Sequence, residues 1–214
     1  MIELFIKNSE EYINWGVNLP TITALMTALL TCLQGYGILA QSKAIWKKKN
    51  ADSVSEPLFA YNTFYFFSFI VYSIFENRLA MLFNGLLGFI YIPVIVGIFK
   101  FKKIKTWERV FTGSLPIMIF LMFITPDKDT LLLIFLSGCI FGAVMQFQEI
   151  LKAKSRGNFN LKFLTVFLIT SVCWLIYGVA INSWVFEIFN SANIAAFLIG
   201  LYLYFKYPPP VTPK

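Results

Sequence analysis

Histidine is absent from this 214-residue chain, charge is scarce and cysteine is sparse. Without histidine there is neither an imidazole base nor a histidine metal ligand. The three cysteines, Cys32, Cys139 and Cys173, sit inside apolar stretches with no Cys-x-x-Cys among them. An odd count of scattered thiols argues against a disulfide framework and a zinc site, and leaves them as small packing residues. Charged residues make up 14% of the chain, where an ordinary soluble domain carries about 25%. With 58% hydrophobic residues and a mean hydropathy of +0.70, that deficit predicts a chain that lives in lipid. There is no nucleophile–base pair, metal cluster or phosphate loop, so no enzyme activity and no cofactor are expected.

What is present is a series of seven apolar runs: Pro20–Gln41, Pro57–Phe75, Leu79–Lys100, Arg109–Thr125, Leu131–Leu151, Leu161–Ile181 and Trp184–Lys206. Each is about the 17–25 residues a helix needs to cross a bilayer. Helices are predicted because they satisfy all their backbone groups internally, and because runs such as 91–99 do not alternate as barrel strands would. The net charge is +7, and its distribution sets orientation. Of the 18 lysines and arginines, all but Lys7, Arg78 and Lys128 follow runs one, three, five and seven. Basic loops stay on the cytoplasmic side, which places the N-terminus outside and the C-terminus inside. Such short clusters between apolar runs do not form the basic folded face that nucleic-acid binding needs. The first 18 residues lack the basic start of a signal peptide, and the prolines at 208–210 predict a helix stop.

The chain repeats itself. Residues 40–50, Ala-Gln-Ser-Lys-Ala-Ile-Trp-Lys-Lys-Lys-Asn, are matched by residues 145–155, Met-Gln-Phe-Gln-Glu-Ile-Leu-Lys-Ala-Lys-Ser. Gln41/Gln146, Lys47/Lys152, Lys49/Lys154 and Tyr72/Tyr177 are each 105 residues apart, and Asn84/Asn190 are 106 apart. Repeats of this kind dictate architecture. The expected fold is an all-α membrane protein with seven transmembrane helices, arranged as two parallel three-helix repeats joined by one linker helix. The odd number of spans per repeat requires that linker if both copies face the same way. The expected segments are an extracellular 1–19, a first repeat 20–100, a linker 101–130, a second repeat 131–206 and a cytoplasmic tail 207–214.

One constellation suggests chemistry. Run two ends with Phe69 and Tyr72, run six with Trp174 and Tyr177; run three opens with Asn84 and run seven with Asn190. Counting along the helices puts Phe69, Asn84, Trp174 and Asn190 roughly 8–10 Å below one membrane edge. Carboxamides donate and accept without charge, so paired with aromatic faces they suit a neutral, hydroxyl-rich solute. Carriers place substrate near mid-membrane between repeats. The bland alternative is that each asparagine bonds the backbone of a neighbouring helix, since polar residues often bridge membrane helices. Gln41 and Gln146 read equally as helix-end caps or as an inner gate. Tyr72 and Tyr177 read as interface anchors or as an outer gate. Gly37 and Gly142 suggest close helix packing. No Asp or Glu falls at the middle of a run, where an ion-coupled carrier usually keeps one, so transport is expected to be uncoupled.

These features together resemble the SWEET sugar transporters of the PQ-loop superfamily, whose single-repeat relatives, the SemiSWEETs, work as dimers. The resemblance rests on the three-span repeats, the glutamine-plus-lysine turns, the aromatic-x-x-Tyr-Gly/Ser ends (Trp174 to Gly178, Phe69 to Ser73) and the Asn84-Gly85 opening, and covers about residues 20–206. It implies that Asn84 and Asn190 bind substrate hydroxyls while Trp174 and Phe69 stack on the sugar, Phe69 standing where the family usually has tryptophan. The family's Pro-Gln becomes Ala40-Gln41 and Met145-Gln146, and Pro57 is left as the one proline near a family hinge position. The expected function is facilitative transport of a mono- or disaccharide across the lipid bilayer, with a homo-oligomer allowed. Alternatives of the same fold are an amino-acid exporter and a non-transporting receptor.

Overall fold

The computed structural model describes residues 2–51, 54–154 and 161–208. Eleven helices follow one another among these residues: α1 (Ile2–Asn8), α2 (Glu10–Ile13), α3 (Leu19–Lys48), α4 (Glu56–Glu76), α5 (Leu79–Gly85), α6 (Leu87–Phe101), α7 (Thr106–Ser114), α8 (Pro116–Ile124), α9 (Lys128–Ala153), α10 (Leu161–Ala180) and α11 (Trp184–Lys206). Five helical segments are long and apolar enough to cross a membrane: 19–47, 56–76, 79–101, 106–124 and 184–206. Among the remaining helices, α9 is 26 residues long, and α10 contributes a shorter apolar stretch over 164–180.

Local sequence explains many of the boundaries. Asn18 caps α3 by accepting the Thr21 N–H at 3.0 Å, which satisfies one of the orphan donors of a helix start. Pro57 and Pro116 sit in the first turns of α4 and α8, where a missing N–H is harmless. Pro93 is different, because it lies inside α6. There it removes one rung of the backbone ladder, and the carbonyl of Pro93 itself accepts the Trp46 indole N–H at 2.9 Å.

The four non-glycine residues with left-handed backbone among those described form two pairs. Lys49 (φ 49°) and Lys154 (φ 48°) follow α3 and α9; Asn77 (φ 52°) and Asn182 (φ 53°) follow α4 and α10. Each pair is 105 residues apart. Left-handed residues commonly end helices, and asparagine tolerates that region better than most. The duplication in the sequence is thus matched by the same helix-ending device at the same spacing.

Two departures from the sequence reading concern the first run. α3 continues two turns beyond Gln41, to Lys48, so the basic residues Lys43 and Lys47 lie on the helix and not in a turn. Good helix formers such as lysine and alanine sustain it there. Gly37 is exposed, and a Cβ at that position would meet nothing within 4 Å, so it is not a close-packing glycine. Gly142 lies in α9, with its surroundings outside the described residues.

The chain divides into two compact units, residues 1–132 and 133–214. In the first, Ile38, Ile45, Leu87, Tyr91, Val94 and Ile98 form a buried cluster in which α3 packs on α6. In the second, Phe147, Ile150, Ala196 and Leu203 do so between α9 and α11. Large apolar side chains also point outward, including Leu29 (57% exposed), Phe120 (59%) and Phe205 (72%). Apolar exposure on this scale fits a surface solvated by acyl chains.

Candidate functional site

In the first unit, Asn84 stands near the end of α5 and is buried. The Thr31 hydroxyl, which donates to the Thr27 carbonyl at 2.8 Å, also lies 3.3 Å from Asn84 Oδ1. Phe69, 2% exposed, packs against Tyr65 (4.4 Å between ring centroids) and Phe66 (5.7 Å). Gly85 holds α5 against α4: a Cβ there would approach Ile70 N to 2.9 Å and the Phe66 carbonyl oxygen to 3.0 Å. Any larger residue at position 85 would push away the helix that carries Asn84.

The second unit holds the matching pair. Asn190 is buried in α11, and its amide donates to the Phe186 carbonyl one turn back at 2.8 Å. Trp174, also buried, packs on Tyr177 (5.5 Å, perpendicular rings) and on Phe186 (5.6 Å). Here the glycine of the close crossing is on the other helix. A Cβ on Gly178 of α10 would stand 2.7 Å from Phe186 Cβ. Ser73 occupies the position 105 residues before Gly178 and is fully buried. The two units therefore solve the same packing problem from opposite sides.

All four predicted substrate residues are thus buried, one aromatic and one carboxamide in each unit. The hydrogen bond described for Asn84 joins α5 to α3, as the helix-bridging alternative expects, through a side chain and not through backbone; that of Asn190 stays within its own helix. Tyr72 and Tyr177 are completely buried, which removes the interface-anchor reading for both. The Tyr72 hydroxyl donates to Asp129 Oδ1 at 2.6 Å. Gln41 is half-buried inside α3, far from its end, so it is not a helix-end cap. Gln146 lies in α9, and its side chain falls outside the described residues. Pro57 opens α4.

Three acids were not singled out by the sequence. Glu56 lies one residue before the second apolar run and is wholly buried. It accepts the Thr112 hydroxyl, and its Oε2 has no hydrogen-bond partner among the described residues. Nearby, Lys102 Nζ donates to the Val54 carbonyl at 2.9 Å and lies 3.5 Å from Glu108 Oε1. Glu11, in the N-terminal segment, accepts the Leu79 and Ala80 N–H groups at 2.9 and 2.8 Å. It caps the helix that carries Asn84 from a point 68 residues earlier in the chain. Asp129 is the acceptor for Tyr72. A signal existed only for Glu56, as a carboxylate directly beside a hydrophobic run.

No curated protein matches the chain. A family model described as "Sugar efflux transporter for intercellular exchange" matches residues 130–212, a stretch that contains Trp174, Tyr177 and Asn190. The resemblance read from the sequence motifs therefore holds over this stretch: this is an integral membrane protein, with five helices of membrane-crossing length and composition, whose residues 130–212 match the sugar efflux transporter family.

Proposed function

We propose that the chain is a facilitative carrier for mono- or disaccharides. Seven spans, in two parallel three-helix repeats with the 106–124 segment between them, would alternate access to one central site. The N-terminus would lie outside and the C-terminus in the cytoplasm, as the basic loops demand. The observation that carries this reading is the matched burial of Asn84 with Phe69 and of Asn190 with Trp174. Uncharged hydrogen-bonding groups beside aromatic faces suit a sugar. The family match over 130–212 and the left-handed residues recurring 105 positions apart support it. Tyr72 and Tyr177 would close the outer side, Gln41 and Gln146 the inner, and Pro57 would serve as a hinge.

The test is uptake of radiolabelled glucose and sucrose into proteoliposomes without an ion gradient. The parent protein should equilibrate at least one of the two. Asn84→Ala and Asn190→Ala should each abolish most of that flux while the protein still folds. Parental flux in both variants would remove the site assignment, and saturable binding without flux would remove the carrier.

A further inference from the structure

The first unit also holds a crevice whose lining does not include Asn84. The crevice, of about 220 Å³, opens between α4, α6 and α7, lined by Ala60, Thr63, Phe67, Ile92, Val96 and Thr112 among others. Its two threonines commit their hydroxyl hydrogens elsewhere. Thr63 donates to the Phe59 carbonyl at 2.8 Å, and Thr112 donates to Glu56. The lining exposes only apolar atoms, which is the wrong surface for a sugar. Its rim is open, with Ile92 41% and Val96 48% exposed.

The helices that wall the crevice lead directly into the most basic segment of the chain. Lys100, Lys102, Lys103, Lys105 and Arg109 fall within ten residues, with Glu108 as the one acid among them. Glu108 is engaged by Lys102, and Lys100, Lys103, Lys105 and Arg109 are exposed. Lys100 follows Val96 by one helical turn, and Arg109 precedes Thr112 by one turn, so these two cations sit roughly 4.5–6 Å along their helices from the end of the crevice, with Lys103 and Lys105 in the connection between α6 and α7. Trp107, 57% exposed, stands among them, and tryptophan favours the headgroup level of a bilayer. An apolar slot with a cationic cap one turn above it matches one ligand chemistry: an acyl chain bearing an anionic head.

We infer that an anionic glycerophospholipid binds here, one acyl chain in the α4/α6/α7 crevice and its phosphate on Lys103, Lys105 and Arg109. Basic pockets between membrane helices are established settings for anionic lipid heads. The crevice lining includes none of the residues proposed to bind sugar.

The test is native mass spectrometry of the full chain, released from micelles containing equal amounts of phosphatidylglycerol and phosphatidylcholine. The parent should retain one phosphatidylglycerol in preference to phosphatidylcholine. Replacing Lys103, Lys105 and Arg109 together by alanine should reduce that preference by about a hundredfold, as expected for removing three surface cations. Val96→Trp, which fills the open rim without touching the core, should weaken retention of phosphatidylglycerol while keeping the charge preference. All four positions are exposed, and an unchanged melting profile verifies folding. Should the triple variant melt early, Lys103→Ala alone should reduce the preference in the same direction. Equal retention of the two lipids by the parent, an undiminished preference in the charge variant, or full retention by Val96→Trp would each overturn the assignment. So would glycerol 3-phosphate competing as well as the lipid, since that would leave no part for the acyl chain.

Discussion

Tyr72 gives its phenolic hydrogen to Asp129 Oδ1 across 2.6 Å, tying the last turn of α4 to the first turn of α9, 57 residues later in the chain. The ring is fully buried, so removing the hydroxyl leaves its packing in place. Tyr72→Phe should therefore lower stability by about 1.5–3 kcal/mol, the usual worth of a hydrogen bond to a charged partner. Thermal unfolding in detergent measures it. An unchanged melting point would mean that water replaces the hydroxyl at no loss. In the carrier reading the same variant should exchange sugar faster from the outer side, because a closing contact is gone.

Gly85 and Gly178 should not tolerate a methyl group. At both positions a Cβ would come within 3.0 Å of neighbouring atoms, including backbone at Gly85. Alanine at either should destabilise by about 1–3 kcal/mol through overpacking. Gly37→Ala is the internal control. With nothing within 4 Å and a helical backbone, it should stabilise by about 0.5–1 kcal/mol. Equal effects at the three sites would contradict the close helix crossings.

Glu11→Ala should loosen the start of α5. The carboxylate is 6% exposed and satisfies two backbone donors, so its loss leaves both N–H groups unpaired, at about 1–3 kcal/mol each. Hydrogen exchange at Leu79 and Ala80 should accelerate, while α11 exchanges as before. Glu11→Gln keeps one acceptor oxygen and should fall between the parent and the alanine variant.

Asp127 precedes α9 and accepts the Thr130 N–H at 3.0 Å. That backbone hydrogen bond is the main cause holding its carboxyl below its ordinary value of 3.8. A folded value below the unfolded one contributes stability that is present above the unfolded value and is lost as pH falls through the folded one. Melting of the parent should thus decline below about pH 4 relative to Asp127→Asn, whose amide oxygen caps without titrating. Parallel melting curves for the two proteins through that range would show that the cap contributes nothing.

Much of the fold was legible because lipid imposes a strong local rule. Every backbone group in a span must be bonded within its own helix, so composition and length alone mark the runs. The pair 49/154 was matched in the sequence before its shared left-handed backbone was known, whereas the pair 77/182 emerged only from the backbone. Candidate substrate positions could be named for the same reason, since counting residues along a helix gives an expected depth. The interface-anchor reading of Tyr72 failed because depth does not tell which way a side chain faces. The close packing expected of Gly37 failed likewise: a small residue permits a crossing but does not create one.

The sequence by itself determined the apolar spans, the 105-residue duplication and the pairing of one aromatic with one carboxamide in each copy. These depend on local composition and on spacing along the chain. Only the tertiary structure decided that the crossing glycine sits on α5 in one unit and on α10 in the other. It alone buried Glu56 against Thr112 and brought Glu11 to the start of α5. Those contacts join residues far apart in the chain, and their energies come from packing and hydrogen bonding between neighbouring elements, which no local pattern encodes.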